Sequence, residues 1–444
     1  MLNKLNEMIW GFPALILILA AGIYICITNG FPQLRLFPRA IRHFIDQFRN
    51  RSDNENSGYA ALCTALAATV GTGNMIGVAC AIATGGPGAI LWMWVCGFLG
   101  MGIKFAEATL AVRYRTKNKR GEWIGGPMYM IEWGMGRRWK WLAVIYALFG
   151  VVASFGVGNT AQVNAVVMGV KTVANQMGVT NVKYMEIIVG IGLAVLVGAV
   201  LVGGAKRISQ VSQLIVPLIA CGYILLCVFV LIMKANKIPS AFYGIVQGAF
   251  SPRAVTGGML GSAFCAIRVG AAKGTFTNEA GMGTASIAHA SADVTNPLDQ
   301  GLMGIMEVFI DTIVICTMTA LVVLCSGVRI PYGIDGTTSL LFDSFSHVTG
   351  EWIKIPLAFA LCCFAIATIF GWSLYGLRCM EYLFGDSALK GFAYAQSAMV
   401  ILGAVVSTVT AWALSETLNG LMLIPNLIAL LCLNPELMRL NKKK

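Results

Sequence analysis

Runs of about twenty apolar residues recur along this chain from one end to the other. A helix needs roughly 20 residues, at about 1.5 Å each, to cross about 30 Å of hydrocarbon. Eleven such runs, spans 1 to 11, lie at 12–29, 59–83, 88–112, 141–168, 184–203, 212–233, 257–289, 303–327, 353–377, 391–413 and 417–434. They fill the 444 residues and leave no stretch for a separate soluble domain. Charged residues make up 12% of the chain, about half the share usual in a soluble protein. The chain reads as an all-α, polytopic membrane protein lodged in a lipid bilayer.

Lys4 and Glu7 cancel ahead of span 1. No A-x-A-like site closes that span, so it reads as a retained helix and not a cleaved signal peptide. Lys and Arg collect in cytoplasmic loops. The loops after odd-numbered spans, with the C-terminus, carry 21 of them; the N-terminus and the other loops carry 7. Only Lys104, Arg268, Lys273 and, at the very start of span 9, Lys354 fall within spans. The expected topology has the N-terminus outside and the C-terminus, ending Lys442-Lys443-Lys444, in the cytoplasm. The net charge of +12 is this bias, spread over short loops in a way that does not suit a nucleic-acid partner.

The thirteen cysteines lie mostly in spans and include no C-x-x-C pair, which suits buried small hydrophobes. His43, His289 and His347 are far apart in sequence and leave a zinc site or a Ser-His-Asp triad little to build on. An enzyme is not expected, and neither is a cofactor.

Span 2 contains Ala68-Thr69-Val70-Gly71-Thr72-Gly73-Asn74, where glycine weakens a helix by about 1 kcal/mol relative to alanine. Span 7 carries a second polar interruption, Thr277-Asn278-Glu279 leading into Gly281 and Gly283. The surroundings echo each other. Each interrupted span ends in a turn without basic residues, and the next span holds a carboxylate after a phenylalanine, Phe105-Ala106-Glu107 and Phe309-Ile310-Asp311. The offset of five is odd, so spans 2 and 7 cross in opposite directions, as halves of an inverted repeat do. The expected division is an extra span and basic loop (1–56), two five-span repeats (57–234 and 235–436) and a basic tail (437–444).

Backbone groups go unpaired at membrane depth only where they line a cavity or meet a ligand. A broken helix offers free carbonyls at one end and free N–H groups at the other. The first suit a cation such as sodium and the second a carboxylate. Close helix packing is the competing reading; it accounts for Gly71 and Gly73 but not for Asn74 or the Thr-Asn-Glu run.

"TVGTGNMIGVA", "GGPGAILWMW", "FTNEAGMGTASIAHA", "QGLMGIMEVFIDTIVICTMTAL" and "FGWSLYG", in this order between about residues 58 and 430, resemble the alanine or glycine:cation symporter family of prokaryotes. The resemblance implies a LeuT-type fold in the cell (inner) membrane and sodium-coupled import of a small neutral amino acid. It implies that the substrate carboxylate meets the N–H groups of Thr72, Gly73 and Asn74, and its ammonium the region of Phe276, Thr277 and Asn278. Gln162 and Trp372 would complete the pocket, and Ala67, Val70 and Thr368 would hold sodium. Where the family motif reads Arg-Gly-Leu-Phe-Ser-Asn-Glu, this chain has Lys273-Gly274-Thr275-Phe276-Thr277-Asn278-Glu279. Proton-coupled relatives of the fold place a lysine in the fifth core helix; span 6 has neither Lys nor Arg, which favours sodium.

Lys104 and Glu107, three apart, are placed to pair within span 3, and Glu307 and Asp311 share a face of span 8, with Arg268 and Lys273 as further cations. The competing readings are a proton-coupled or glutamine-preferring carrier of the same fold and, in another class, a channel or membrane sensor. A channel needs no paired helix breaks, and no signalling domain is present in the sequence.

Overall fold

The computed structural model describes residues 12–49, 57–179, 184–250, 263–333, 338–406 and 408–442. Lys4, Glu7, the start of span 7, residue 56 at the first expected boundary and the final Lys443-Lys444 lie outside them. Seven described helices are long and apolar enough to cross a membrane: Ala89–Arg113, Arg137–Gln176, Gly204–Met233, Pro297–Cys325, Glu351–Phe384, Asp386–Val405 and Asn419–Lys442. They occupy spans 3, 4, 6, 8, 9, 10 and 11. Gly58–Thr69 and Gly73–Gly85, bent by 54° at the break, form span 2. Pro13–Thr28 and Met185–Leu201 stand at spans 1 and 5 but are shorter, and span 7 is split into Ala263–Asn278 and Thr284–His289. Every expected position thus holds helix. By length and composition alone, seven of the described helices are long enough to cross, or eight with the bent pair counted as one span.

Beside the spans lie an amphipathic helix, Phe37–Arg49, and a small antiparallel hairpin, Thr116–Lys117 with Trp123–Ile124. Span 3 packs on spans 7 and 8, span 4 on span 9, span 5 on span 10, and span 6 on spans 2 and 9. The pairs 3–8, 4–9 and 5–10 share the offset of five that separates the two breaks. Gly304 brings spans 3 and 8 together, since a Cβ there would lie 2.7 Å from the carbonyl oxygen of Lys104. Small residues permit this approach where lipid supplies no hydrophobic drive between helices.

The breaks have local causes. In span 7 the last helical bond runs from Glu279 N–H to the Thr275 carbonyl, 2.9 Å. Glu279, Gly281 and Gly283 then take φ of 54°, 92° and 78°, left-handed values that glycine adopts without strain and a side-chain-bearing residue rarely does. Beyond the break of span 2, residues Gly73–Gly77 are wound as a π-helix. Three further π segments lie among the described residues, Met130–Met135 ahead of span 4, Gly156–Thr160 in span 4 and Phe309–Cys316 in span 8, widened turns of the kind that gathers at functional sites.

Candidate substrate and cation site

At the break of span 2, the Gly71 N–H donates to Asn74 Oδ1 (2.9 Å) instead of returning to the Ala67 carbonyl. The Asn74 N–H donates to the Gly71 carbonyl (3.2 Å), not to Val70. Ala67 and Val70 thereby lose the donors a continuous helix supplies. The N–H groups of Thr72 and Gly73 find no backbone acceptor among the described residues. One side of the break is rich in carbonyls and the other in donors.

The donor side of the break faces a small cavity of about 10 Å³, room for about one water and far below the roughly 300–1,000 Å³ of ordinary ligand pockets; Ala67 and Val70 lie just outside its lining. Thr72, Gly73, Gln162, Phe276, Thr277 and Thr368 line it, together with Ala68, Thr69, Gly71, Val157 and Glu279. Thr72 Oγ1 donates to Gln162 Oε1 (3.0 Å), and Gln162 Nε2 donates to the Val157 carbonyl (3.2 Å). The amide is thus both a bond between spans 2 and 4 and part of the wall. A Cβ on Gly73 would lie 3.0 Å from Thr277 Cγ2, so the two breaks touch here. Thr277 Oγ1 is turned to its own helix, donating to the Gly274 carbonyl (2.8 Å). Thr368 Oγ1 donates to the Phe364 carbonyl (3.0 Å), which leaves its lone pairs free to accept.

Three residues expected in the pocket stand one layer behind it. Asn74 Nδ2 donates to Asp311 Oδ1 (2.6 Å) and to the Asp311 carbonyl (3.2 Å). Asn278 Nδ2 donates to Thr312 Oγ1 (3.2 Å), while its Oδ1 accepts the Ala280 N–H (3.0 Å). Trp372, fully buried, donates from Nε1 to Glu279 Oε1 (2.8 Å) and packs edge-on against Tyr375. Glu279, which belongs to the cavity wall, was noticed in the sequence only as part of a polar run.

The intramembrane charges pair differently from the sequence expectation. Lys104 Nζ meets Glu307 Oε1 at 2.9 Å, across spans, rather than Glu107 on its own helix. The Gly304 contact brings the two helices close enough for this. Glu107 Oε1 instead accepts the N–H groups of Gly281 and Gly283, both at 3.0 Å, and Asn426 Nδ2 at 2.7 Å. Glu307 Oε2 meets His289 Nε2 (2.9 Å), whose Nδ1 faces Gln300 Nε2 (2.6 Å). Among the described residues Asp311 makes no ion pair of its own, whereas Glu307 holds Lys104. Lys273 lies over the Phe276 ring, and Arg268 sits exposed beside span 1.

A larger cavity, about 290 Å³, opens at the end of the molecule that holds the 116–124 hairpin. Arg378 marks its rim, bonded to Glu122 Oε2 (3.0 Å) and Glu381 Oε2 (2.6 Å). Leu374, two residues after Trp372, and Ile287, in the Thr284–His289 segment of span 7, also line it and are buried. Nothing in the sequence distinguished these charges from ordinary loop residues.

The model of the sodium:alanine symporter family matches residues 1–443. The sodium/alanine symporter AgcS of Methanococcus maripaludis is 40% identical over 442 residues, covering 98% of this chain and 94% of that one. The chain belongs to the sodium:alanine symporter family. This chain is also 41% identical over 433 residues to an uncharacterized transporter of Haemophilus influenzae, covering 97% of this chain and 92% of that one. A Bacillus subtilis relative named "Probable sodium/glutamine symporter GlnT" is 35% identical, covering 97% and 87%. Among solved structures, MhsT in complex with L-phenylalanine superposes with a TM-score of 0.61 at 14% identity, covering 84% of this chain and 88% of that one. That likeness is one of fold alone, and the fold is LeuT-like. The protein is a multi-pass amino acid transporter and not an enzyme.

Proposed function

We propose that this symporter imports a small neutral amino acid, alanine or glycine, together with sodium by alternating access. The observation that carries the reading is the break of span 2. There, two unpaired N–H groups and two carbonyls without helical donors lie two to six residues apart, and the N–H groups belong to residues that line a small cavity. The substrate carboxylate sits on the N–H groups of Thr72 and Gly73. Sodium sits on the carbonyls of Ala67 and Val70 and the hydroxyl of Thr368, hard oxygen ligands for a hard cation. Gln162 and Phe276 bound the side-chain end. Asn74, Asn278 and Trp372 support the wall from behind.

The N-terminus lies outside and the C-terminus in the cytoplasm of a prokaryotic cell, following the bias of basic loops. The cavity at Arg378 then opens to the cytoplasm and serves release. Purified protein in liposomes tests the reading. An inward sodium gradient is expected to drive accumulation of labelled alanine or glycine, with counterflow of unlabelled substrate. Equal accumulation with choline in place of sodium, driven by a proton gradient, overturns sodium coupling. Stronger uptake of glutamine than of alanine overturns the substrate assignment.

A further inference from the structure

Glu279 is the one ionisable residue among those that line the cavity between the two breaks. It is 2% exposed. Its Oε1 accepts Trp372 Nε1 at 2.8 Å and its Oε2 accepts Thr284 Oγ1 at 2.6 Å. It makes no ion pair among the described residues; Lys104, the buried cation of this region, is joined to Glu307. Each carboxylate oxygen has two acceptor sites, so each keeps one after these bonds. Two neutral donors hold the group in place without neutralising it.

An uncompensated carboxylate inside a membrane protein is expensive and marks a place where a cation arrives. The backbone repeats the message, since Glu279 takes φ 54°. A residue with a side chain holds that left-handed conformation only where its surroundings impose it, and such residues cluster at ligand sites. The same lining holds Thr72 and Gly73, whose unpaired N–H groups carry partial positive charge. The cavity therefore combines donors with a carboxylate. A free amino acid has the matching pair of charges.

We infer that Glu279 is the counter-charge for the α-ammonium of the transported amino acid, and that it makes the site selective for zwitterions. This rests on the reading of the cavity as the amino acid site. Sequence reasoning gave the ammonium to the neutral groups around Phe276, Thr277 and Asn278. Those bonds contribute direction, and the charge comes from Glu279. Trp372 is the positioning residue: its indole N–H fixes one carboxylate oxygen, which keeps a second acceptor site.

The test is equilibrium binding to the purified full-length protein in sodium, with labelled alanine competed by unlabelled alanine, propionate and lactate. The last two keep the carboxylate and the small side chain but lack the ammonium. In the wild type, propionate and lactate are expected to compete at least tenfold more weakly than alanine. Glu279→Gln keeps the shape and an acceptor for Trp372 but removes the charge. Its alanine affinity is expected to fall roughly ten- to a hundredfold, the weight of a charge-assisted hydrogen bond. Its affinity for propionate stays within about threefold, so that the preference for the ammonium collapses. A purely structural role of Glu279 would weaken all three ligands alike, and that result overturns the inference. So does wild-type binding of propionate as tight as that of alanine, a measurement that needs no variant. Sodium-dependent alanine binding by the wild type that survives unchanged in Glu279→Gln sinks this assignment alone. Absence of sodium-dependent alanine binding in the wild type sinks the transport reading beneath it.

Discussion

Gly71 and Thr368 are in direct contact, backbone against hydroxyl. A Cβ built on Gly71 would collide with Thr368 Oγ1. The broken part of span 2 therefore seats on span 9 where the threonine oxygen is offered, beside the carbonyls of Ala67 and Val70. Thr368 Oγ1 also donates to the Phe364 carbonyl of its own helix at 3.0 Å. Donating in this direction is compatible with accepting a cation on the other, and the two roles separate experimentally.

Thr368→Val keeps the shape and removes the oxygen. Loss of a polar partner to a charged group costs roughly 1–3 kcal/mol, about fivefold to a hundredfold in affinity. The sodium concentration for half-maximal alanine uptake is predicted to rise by that factor, with normal amounts of protein in the membrane. Substrate affinity at fixed sodium falls with it, because linkage between two ligands is reciprocal. A sodium titration that matches the wild type would assign the hydroxyl to its own helix alone.

Gly71→Ala acts on the same site from the other side. Its added methyl has to push Thr368 or the span 2 backbone away. Sodium-dependent stabilisation against thermal unfolding is predicted to disappear, while the protein still inserts. Retained stabilisation of wild-type size would show that the contact is packing and not part of a cation site.

Gly73→Val addresses the substrate. The Cβ position already lies 3.0 Å from Thr277 Cγ2, and a branched side chain adds two further carbons with a restricted rotamer. Alanine binding is predicted to be lost while sodium still stabilises the protein, since the carbonyls of Ala67 and Val70 are untouched. Unimpaired alanine uptake by this variant would remove the carboxylate from the Thr72–Gly73 donors.

Lys104 and Glu307 form a fully buried pair at 2.9 Å, extended by His289. Breaking such a pair strands a charge and costs about 3–5 kcal/mol, whereas removing both charges is often nearly neutral. Lys104→Met is predicted to lower the thermal midpoint of the purified protein sharply. Adding Glu307→Gln, which keeps an acceptor for His289, is predicted to recover most of the loss. Equal midpoints for the single and double variants would contradict the pairing.

Some of this was legible from the chain alone. The apolar runs fixed the class because every helix in a bilayer must hide its own backbone, and the alternation of basic loops set an expected orientation. The breaks at Gly71–Gly73 and at Glu279–Gly283 were visible because glycine, threonine and asparagine are poor choices for an uninterrupted apolar helix. Gln162 and Phe276 were reached only through resemblance, since an amide or an aromatic ring in a span carries no positional information of its own.

What the tertiary structure decided is who meets whom. Lys104 and Glu107 stand three apart on one helix, and local spacing pairs them; packing of spans 3 and 8 at Gly304 gives Lys104 to Glu307, while Glu107 turns to the N–H groups of Gly281 and Gly283. Asn74 and Trp372, both marked in the sequence, act through Asp311 and Glu279 instead of facing the cavity. Periodicity along one helix says which residues share a face. The partner on that face comes from another part of the chain, more than two hundred residues away for Asn74 and Asp311, and close approach of backbones at glycine is what selects it. The sequence determined that the helices break and where; only their packing decided what the broken ends enclose.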